Sequence, residues 1–146
     1  MSEIKADALT GKTAAGNVTV TSEGGAVTFQ LQQGLAKAWV NFNGTGTIAV
    51  RSSLNISSIT DVAQGSYTPN VSSAFNDANY APSGNPASSN AGSGGRIIQF
   101  GSNYDAGTLD PNFTTTSFSV NCFYPITDGG EYDVEYITIS THGDLA

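Results

Sequence analysis

Few residues of this 146-residue chain carry side chains suited to bond chemistry. His142 is the only histidine, and it lies two residues past the last expected strand. A triad needs a nucleophile, a base and a group that orients the base; no Ser or Cys pattern accompanies His142, so it reads as a surface residue. Cys122, the one cysteine, alternates with apolar neighbours and reads as a buried small hydrophobe. No activating base accompanies it, and a single cysteine rules out an internal disulfide or a Cys-based zinc site. Asp128, Glu131, Asp133 and Glu135 form the densest acidic cluster. Asp133 and Glu135 share an expected strand face and could receive calcium with Asp128. The spacing matches no calcium loop, and a solvated face with a turn Asp is the favoured reading. It also selects no carboxylate pair for glycoside cleavage. Trp39, the only tryptophan, could serve as a sugar platform, which needs an exposed aromatic beside amides. Its neighbours Val40 and Phe42 make burial an equal alternative. Trp39, Tyr80, Asn85, Asn90 and Tyr104 are the residues from which contact with a ligand or partner is expected. No catalytic residue, cofactor or metal is expected.

The chain that must position these groups is polar but weakly charged. Gly, Ser, Thr and Asn account for 62 of its residues, while Asp, Glu, Lys and Arg make only 12%. Disordered chains draw their polarity from charge and Pro and lack aromatics; here Pro numbers 5 and aromatics reach 10%. Hydroxyl-lined strand faces and many turns produce this mixture. Net charge is -7, with only five cations, which argues against nucleic-acid binding. No segment approaches the roughly 20 apolar residues of a membrane helix, and Met1–Lys5 leads into polar residues rather than a secretory signal. The five Asn-X-Ser/Thr sequons are therefore read as incidental.

Period-two alternation recurs between Gly and Asn turns, and helical periodicity is nearly absent. Asn17–Thr21 and Ala26–Leu31 predict an N-terminal hairpin closed by Ser22–Gly25. Lys37–Asn43 and Thr47–Arg51 follow as strands. Leu54 and Ile56 share one parity and Ile59 takes the other, which predicts a bulge or corner. Asp61–Gly65 reads as a turn and Ala78–Ala81 as a short strand. Pro82–Gly95 has no charge and no side chain larger than Asn, and reads as a surface loop. Arg96–Gly101, Thr114–Tyr124 and Glu131–Ser140 complete the strands, with a hairpin turn at Asp128–Gly130. The expected fold is all-β: an antiparallel β-sandwich or jelly-roll with an N-terminal β-hairpin arm. Residues 1–33 form the arm and 34–146 the sandwich domain.

The run from Gly34 to Arg51, G-L-A-K-A-W-V-N-F-N-G-T-G-T-I-A-V-R, resembles a segment of tailed-bacteriophage virion proteins of the marine phage type. These are tail-fibre-like or small head-attached proteins. The likeness continues through Leu54–Asp61, Gly65–Thr68 and Asn76–Tyr80, covers residues 34–81 well, and is weaker at Thr114–Tyr124 and the closing strand. Ser2–Gln33 looks like the leader such proteins carry. The chain departs from the pattern at Val62-Ala63-Gln64, where a short Asn/Gly turn is usual. It departs again at Pro69, which would interrupt a strand and hints at an edge. A single module behind its own Met1, without a long shaft, fits a small knob, decoration or fibre tip.

The resemblance implies a virion structural protein exposed on head or tail, non-enzymatic and assembling as a homo-oligomer, a trimer by expectation. Residues 1–33 would attach it to other capsid or tail proteins or join its protomers. The alternative is a carbohydrate- or receptor-binding module of a fibre tip, touching a host cell-surface glycan. Neither nucleic acid nor membrane is an expected partner.

Overall fold

The computed structural model describes residues 4–11, 18–25, 27–87, 95–101, 112–124 and 130–146. The chain divides into two compact units, Met1–Leu35 and Ala36–Ala146.

In the first unit, β1 (Thr19–Thr21) pairs antiparallel with β2 (Thr28–Gln30). The turn between them uses Gly24 and Gly25, whose φ values of 85° and 72° suit glycine. One helical turn, α1 (Leu31–Gly34), follows, and Leu31 N–H donates to the Val18 carbonyl. No described residue of this unit is buried: Ile4 is 89% exposed and Phe29 50%.

The second unit begins with a strand whose pattern dictates its packing. In β3 (Ala38–Asn43), Ala38, Val40 and Phe42 are buried, while Trp39, Asn41 and Asn43 take the opposite face. Then come β4 (Ala49–Leu54), β5 (Ile56–Ala63), β6 (Ser66–Val71), β7 (Ala81–Ala87), β8 (Ile97–Phe100), β9 (Val120–Phe123) and β10 (Tyr136–His142). They make two four-stranded antiparallel sheets, ordered β4-β3-β10-β7 and β5-β6-β9-β8. One apolar core takes Val40, Phe42, Ile137 and Ile139 from the first sheet and Tyr67, Val71, Val120 and Cys122 from the second. Each fully buried aliphatic or aromatic side chain of this set contributes about 1.5–3 kcal/mol. The fold is all-β with antiparallel sheets, consistent with a β-sandwich. Three pairs of consecutive strands (β3–β4, β5–β6 and β8–β9) stay within one sheet. The other four (β4–β5, β6–β7, β7–β8 and β9–β10) pass from one sheet to the other.

The parity change between Ile56 and Ile59 is a bulge, and a corner precedes it. Asn55 adopts φ 57° and carries the chain from the first sheet to the second. Its side chain fixes the corner, with Oδ1 accepting from Ser73 N–H at 2.7 Å and Nδ2 donating to the Ser73 carbonyl at 3.1 Å. The bulge is the register shift between Ile56 and Ser58.

Several expected elements differ. Asp61–Ala63 is strand, and the turn shrinks to Gln64–Gly65, where Gly65 has φ 71°. Pro69 does not mark an edge: β6 lies between β5 and β9. The β6–β9 ladder ends at Tyr67, and Pro69 then needs only its carbonyl, which accepts from Phe118 N–H at 3.3 Å. Residues 76–80 bend instead of forming a strand, with Asp77 Oδ1 accepting from Asn79 N–H. The first half of the expected Pro82–Gly95 loop is a strand, because β7 borrows the apolar cover of β10 and sits at a sheet edge, where proline is tolerated. Residues 88–94 lie outside the described ones. The closing strand runs Tyr136–His142 rather than Glu131–Ser140. Residues 132–135 are not strand, so Val134 and Ile137 are both buried despite opposite parity. Asp128 and Gly129 of the expected hairpin turn lie outside the described residues.

Tyr67 ties the two sheets together. Its ring is fully buried and meets Phe42 edge-on at 5.3 Å. Its hydroxyl proton has two acceptors in reach, the Gly44 carbonyl at 3.0 Å and Asp133 Oδ1 at 2.9 Å. A Cβ on Gly44 would sit 2.6 Å from Tyr67 Cζ and 3.0 Å from Ile137 Cδ1. Tyr67→Phe is therefore expected to lower unfolding free energy by about 1–3 kcal/mol through loss of the buried hydroxyl's hydrogen bond. Gly44→Ala should cost about 1–3 kcal/mol through overpacking. Urea denaturation with unchanged midpoints for both would contradict this role.

Candidate binding face

The alternation that buries Val40 and Phe42 turns Trp39 and Asn41 to the outer face of the β4-β3-β10-β7 sheet. Strand register then decides what stands beside them. One row across the sheet reads Leu54, Trp39, Ser140, Ser83; the next reads Ser52, Asn41, Thr138, Asn85. Asn41 and Asn85 thus flank Thr138, two strand spacings or about 10 Å apart. The seam between β10 and β7 is closed by hydroxyls: Ser83 Oγ lies 3.0 Å from Ser140 Oγ, and Thr138 Oγ1 donates to the Asn85 carbonyl at 3.2 Å.

A third row holds Tyr136 beside Ala87. The register of β3 and β4 slips between Asn41 and Phe42, which leaves Arg51 as the extra residue of a bulge. Arg51 reaches back over the face. Its Nη1 donates to Asn41 Oδ1 at 3.2 Å, and its guanidinium carbon lies 4.2 Å from the centre of the Tyr136 ring. Tyr136 is 47% exposed and Trp39 is half-buried. The face therefore offers an aromatic surface, amide and hydroxyl groups, and one oriented cation.

Of the five expected contact residues, the structure brings Trp39 and Asn85 to this face. Tyr80 goes elsewhere. It is 6% exposed, stacks on Phe75 at 4.1 Å, and has the Thr114 and Ser117 carbonyls each 2.9 Å from its hydroxyl. A buried aromatic with its polar end satisfied is a packing element, and burial pushes its phenol up to about 12. Asn90 and Tyr104 lie outside the described residues. Arg51, Tyr136 and Asn41 were not foreseen. Asn41 could have been found from its parity with Trp39; the other two depend on the bulge and on the β3–β10 register.

The remaining chemical candidates separate. His142 ends β10, opposite Ala81, and is exposed. Asp133 does not share a strand face with Glu135, and its Oδ1 accepts from Gly65 N–H at 2.7 Å and faces the Tyr67 hydroxyl. Among the described residues no three His, Cys, Asp or Glu side chains gather as a metal site. Burial first, then the Asp133 carboxylate, holds the Tyr67 phenol well above its ordinary range. Cys122 is fully buried, and burial, helped by the charges of Asp133 and Glu131, pushes its thiol up to about 12.

Comparison with protein-family models finds no match, and neither the curated proteins nor the solved structures provide one.

The raised thiol gives a pH signature. Its folded value exceeds its ordinary value of 9.0, so its contribution is complete below about pH 9 and is lost as pH rises toward 12. Unfolding free energy should fall there by up to about 1.4 kcal/mol per pH unit. Cys122→Ala should delay the fall to about pH 10, where Tyr67 and Tyr80 begin to contribute. A thiol reagent should label the native protein only after unfolding; rapid native labelling at pH 8 would contradict the burial.

Proposed function

We propose that this protein is a non-enzymatic structural component of a tailed-phage virion, exposed on the particle surface as a small tail-fibre-like or head decoration protein and assembling as a homotrimer. In this reading the body is a β-sandwich, and the β1–β2 hairpin belongs to an arm that joins protomers or attaches them to capsid or tail proteins. The observation that supports it is the character of the first unit. Its described residues include no buried side chain, yet Ile4, Leu9, Val27, Phe29 and Leu35 are all more than half or about half exposed. A short hairpin with that much uncovered apolar surface is not independently stable and gains stability when a partner covers it. The edge strand β4 adds Val50 and Leu54 to the uncovered apolar groups. Light scattering on the full chain is expected to give the mass of three protomers. Phe29→Glu is expected to reduce it to that of one without loss of the β-rich circular dichroism. A monomeric full chain would count against the assembly, and particles that retain the protein after deletion of residues 1–35 would count against the arm.

A second reading, a carbohydrate-binding module of a fibre tip, is favoured by the outer face that joins Trp39 to Asn41 and Asn85. Under it, binding on a host-glycan array is lost in Trp39→Ala while the thermal midpoint is retained. Silence of the native protein across the array would sink it.

A further inference from the structure

We infer that the outer face of the β4-β3-β10-β7 sheet is a site for acidic saccharides, with Arg51 receiving a sugar carboxylate and Trp39 carrying a sugar ring. The inference rests on the carbohydrate reading of this face and adds the charge class of the ligand. The chain has 12 acidic residues and a net charge of -7, yet the four strands of this sheet contain no Asp or Glu. Acids are thus concentrated elsewhere, and the one strand residue with a permanent charge on this face is a cation. Glu135 borders the face, next to Tyr136; with a Debye length of about 8 Å at physiological salt, acids farther away than that weakly oppose an anion seated here.

Arg51 is also held ready. A guanidinium has five N–H donors in a planar fork suited to a carboxylate. Its bond to Asn41 engages Nη1, and the Tyr136 ring backs the group. Much of the entropy cost of fixing a long side chain is thereby met before a ligand arrives. Trp39 stands on the same strand face as Asn41, two residues or about 7 Å along the strand. A neutral sugar could use the aromatic, amide and hydroxyl groups, but only an acidic one would use Arg51.

The test uses the full chain, and Trp39, its only tryptophan, reports from the site itself. Two probe pairs differ in the carboxylate: trigalacturonate with its methyl ester, and sialyllactose with its methyl ester. At least one acidic member should change Trp39 fluorescence and bind about tenfold or more tightly than its neutral partner, in line with a lost charge-assisted hydrogen bond. Arg51→Gln should bring the acidic affinity down to the neutral one, and Trp39→Ala, followed by calorimetry, should weaken both. Added salt should weaken the acidic probe alone. Equal affinity for acidic and neutral partners, an unchanged preference in Arg51→Gln, or equal binding of inorganic sulfate would overturn the acidic assignment and leave the carbohydrate reading standing. No binding of any of the four saccharides would overturn both.

Discussion

The body of the protein depends on a buried phenol that spans its two layers. Tyr67 belongs to β6, but its hydroxyl reaches the Gly44 carbonyl at the end of β3 and the Asp133 carboxylate before β10. Burying an unpaired hydroxyl costs several times what a satisfied one contributes. The layers must therefore meet in a register that presents an acceptor to that one proton. Gly44 is part of the same constraint, because only a residue without Cβ lets the backbone approach the ring so closely. Gly44 N–H is in turn taken by the Val134 carbonyl, and Asp133 also receives Gly65 N–H. A single side chain thus fixes the positions of one hairpin, one loop and the entry to the last strand.

From that fixed layer follows the outer face. Phe42 and Ile137 pack inward against the same region, so the residues between and beside them point outward in a determined order. Trp39, Asn41, Thr138 and Tyr136 gain their neighbours from the β3–β10 register, and Arg51 gains its reach from the bulge in β4. The binding groups sit on paired strands rather than on loops, which keeps their spacing fixed.

What the sequence made legible was local. The run Lys37–Asn43 predicted β3, the parity change between Ile56 and Ile59 predicted a bulge or corner, and Cys122 read correctly as a buried hydrophobe. What escaped was decided by partners distant in the chain. The Pro- and Ser-rich segment from Ala81 to Ala87 has little strand propensity of its own and is strand because β10 lies alongside. Pro69 looked like an edge residue because nothing nearby showed that no N–H donor was needed at its position. Tyr80 looked available because its partners Phe75, Phe113 and Phe118 converge only in the fold. Trp39 could be singled out by type, but Arg51 and Tyr136 enter its surroundings through register, which no short window contains.

The corner at Asn55 has a consequence for how such a protein can change over generations. The chain passes from one sheet to the other through a single residue, clamped to Ser73 through both its amide atoms. There is no slack at that crease, so the separation of the layers, about 10 Å in stacked sheets, is set there by covalent geometry. Lineages that enlarge or shrink the core cannot take up the difference by lengthening this connection. They must do so at the far end of the strands, and the corner is expected to tolerate neither insertion nor deletion.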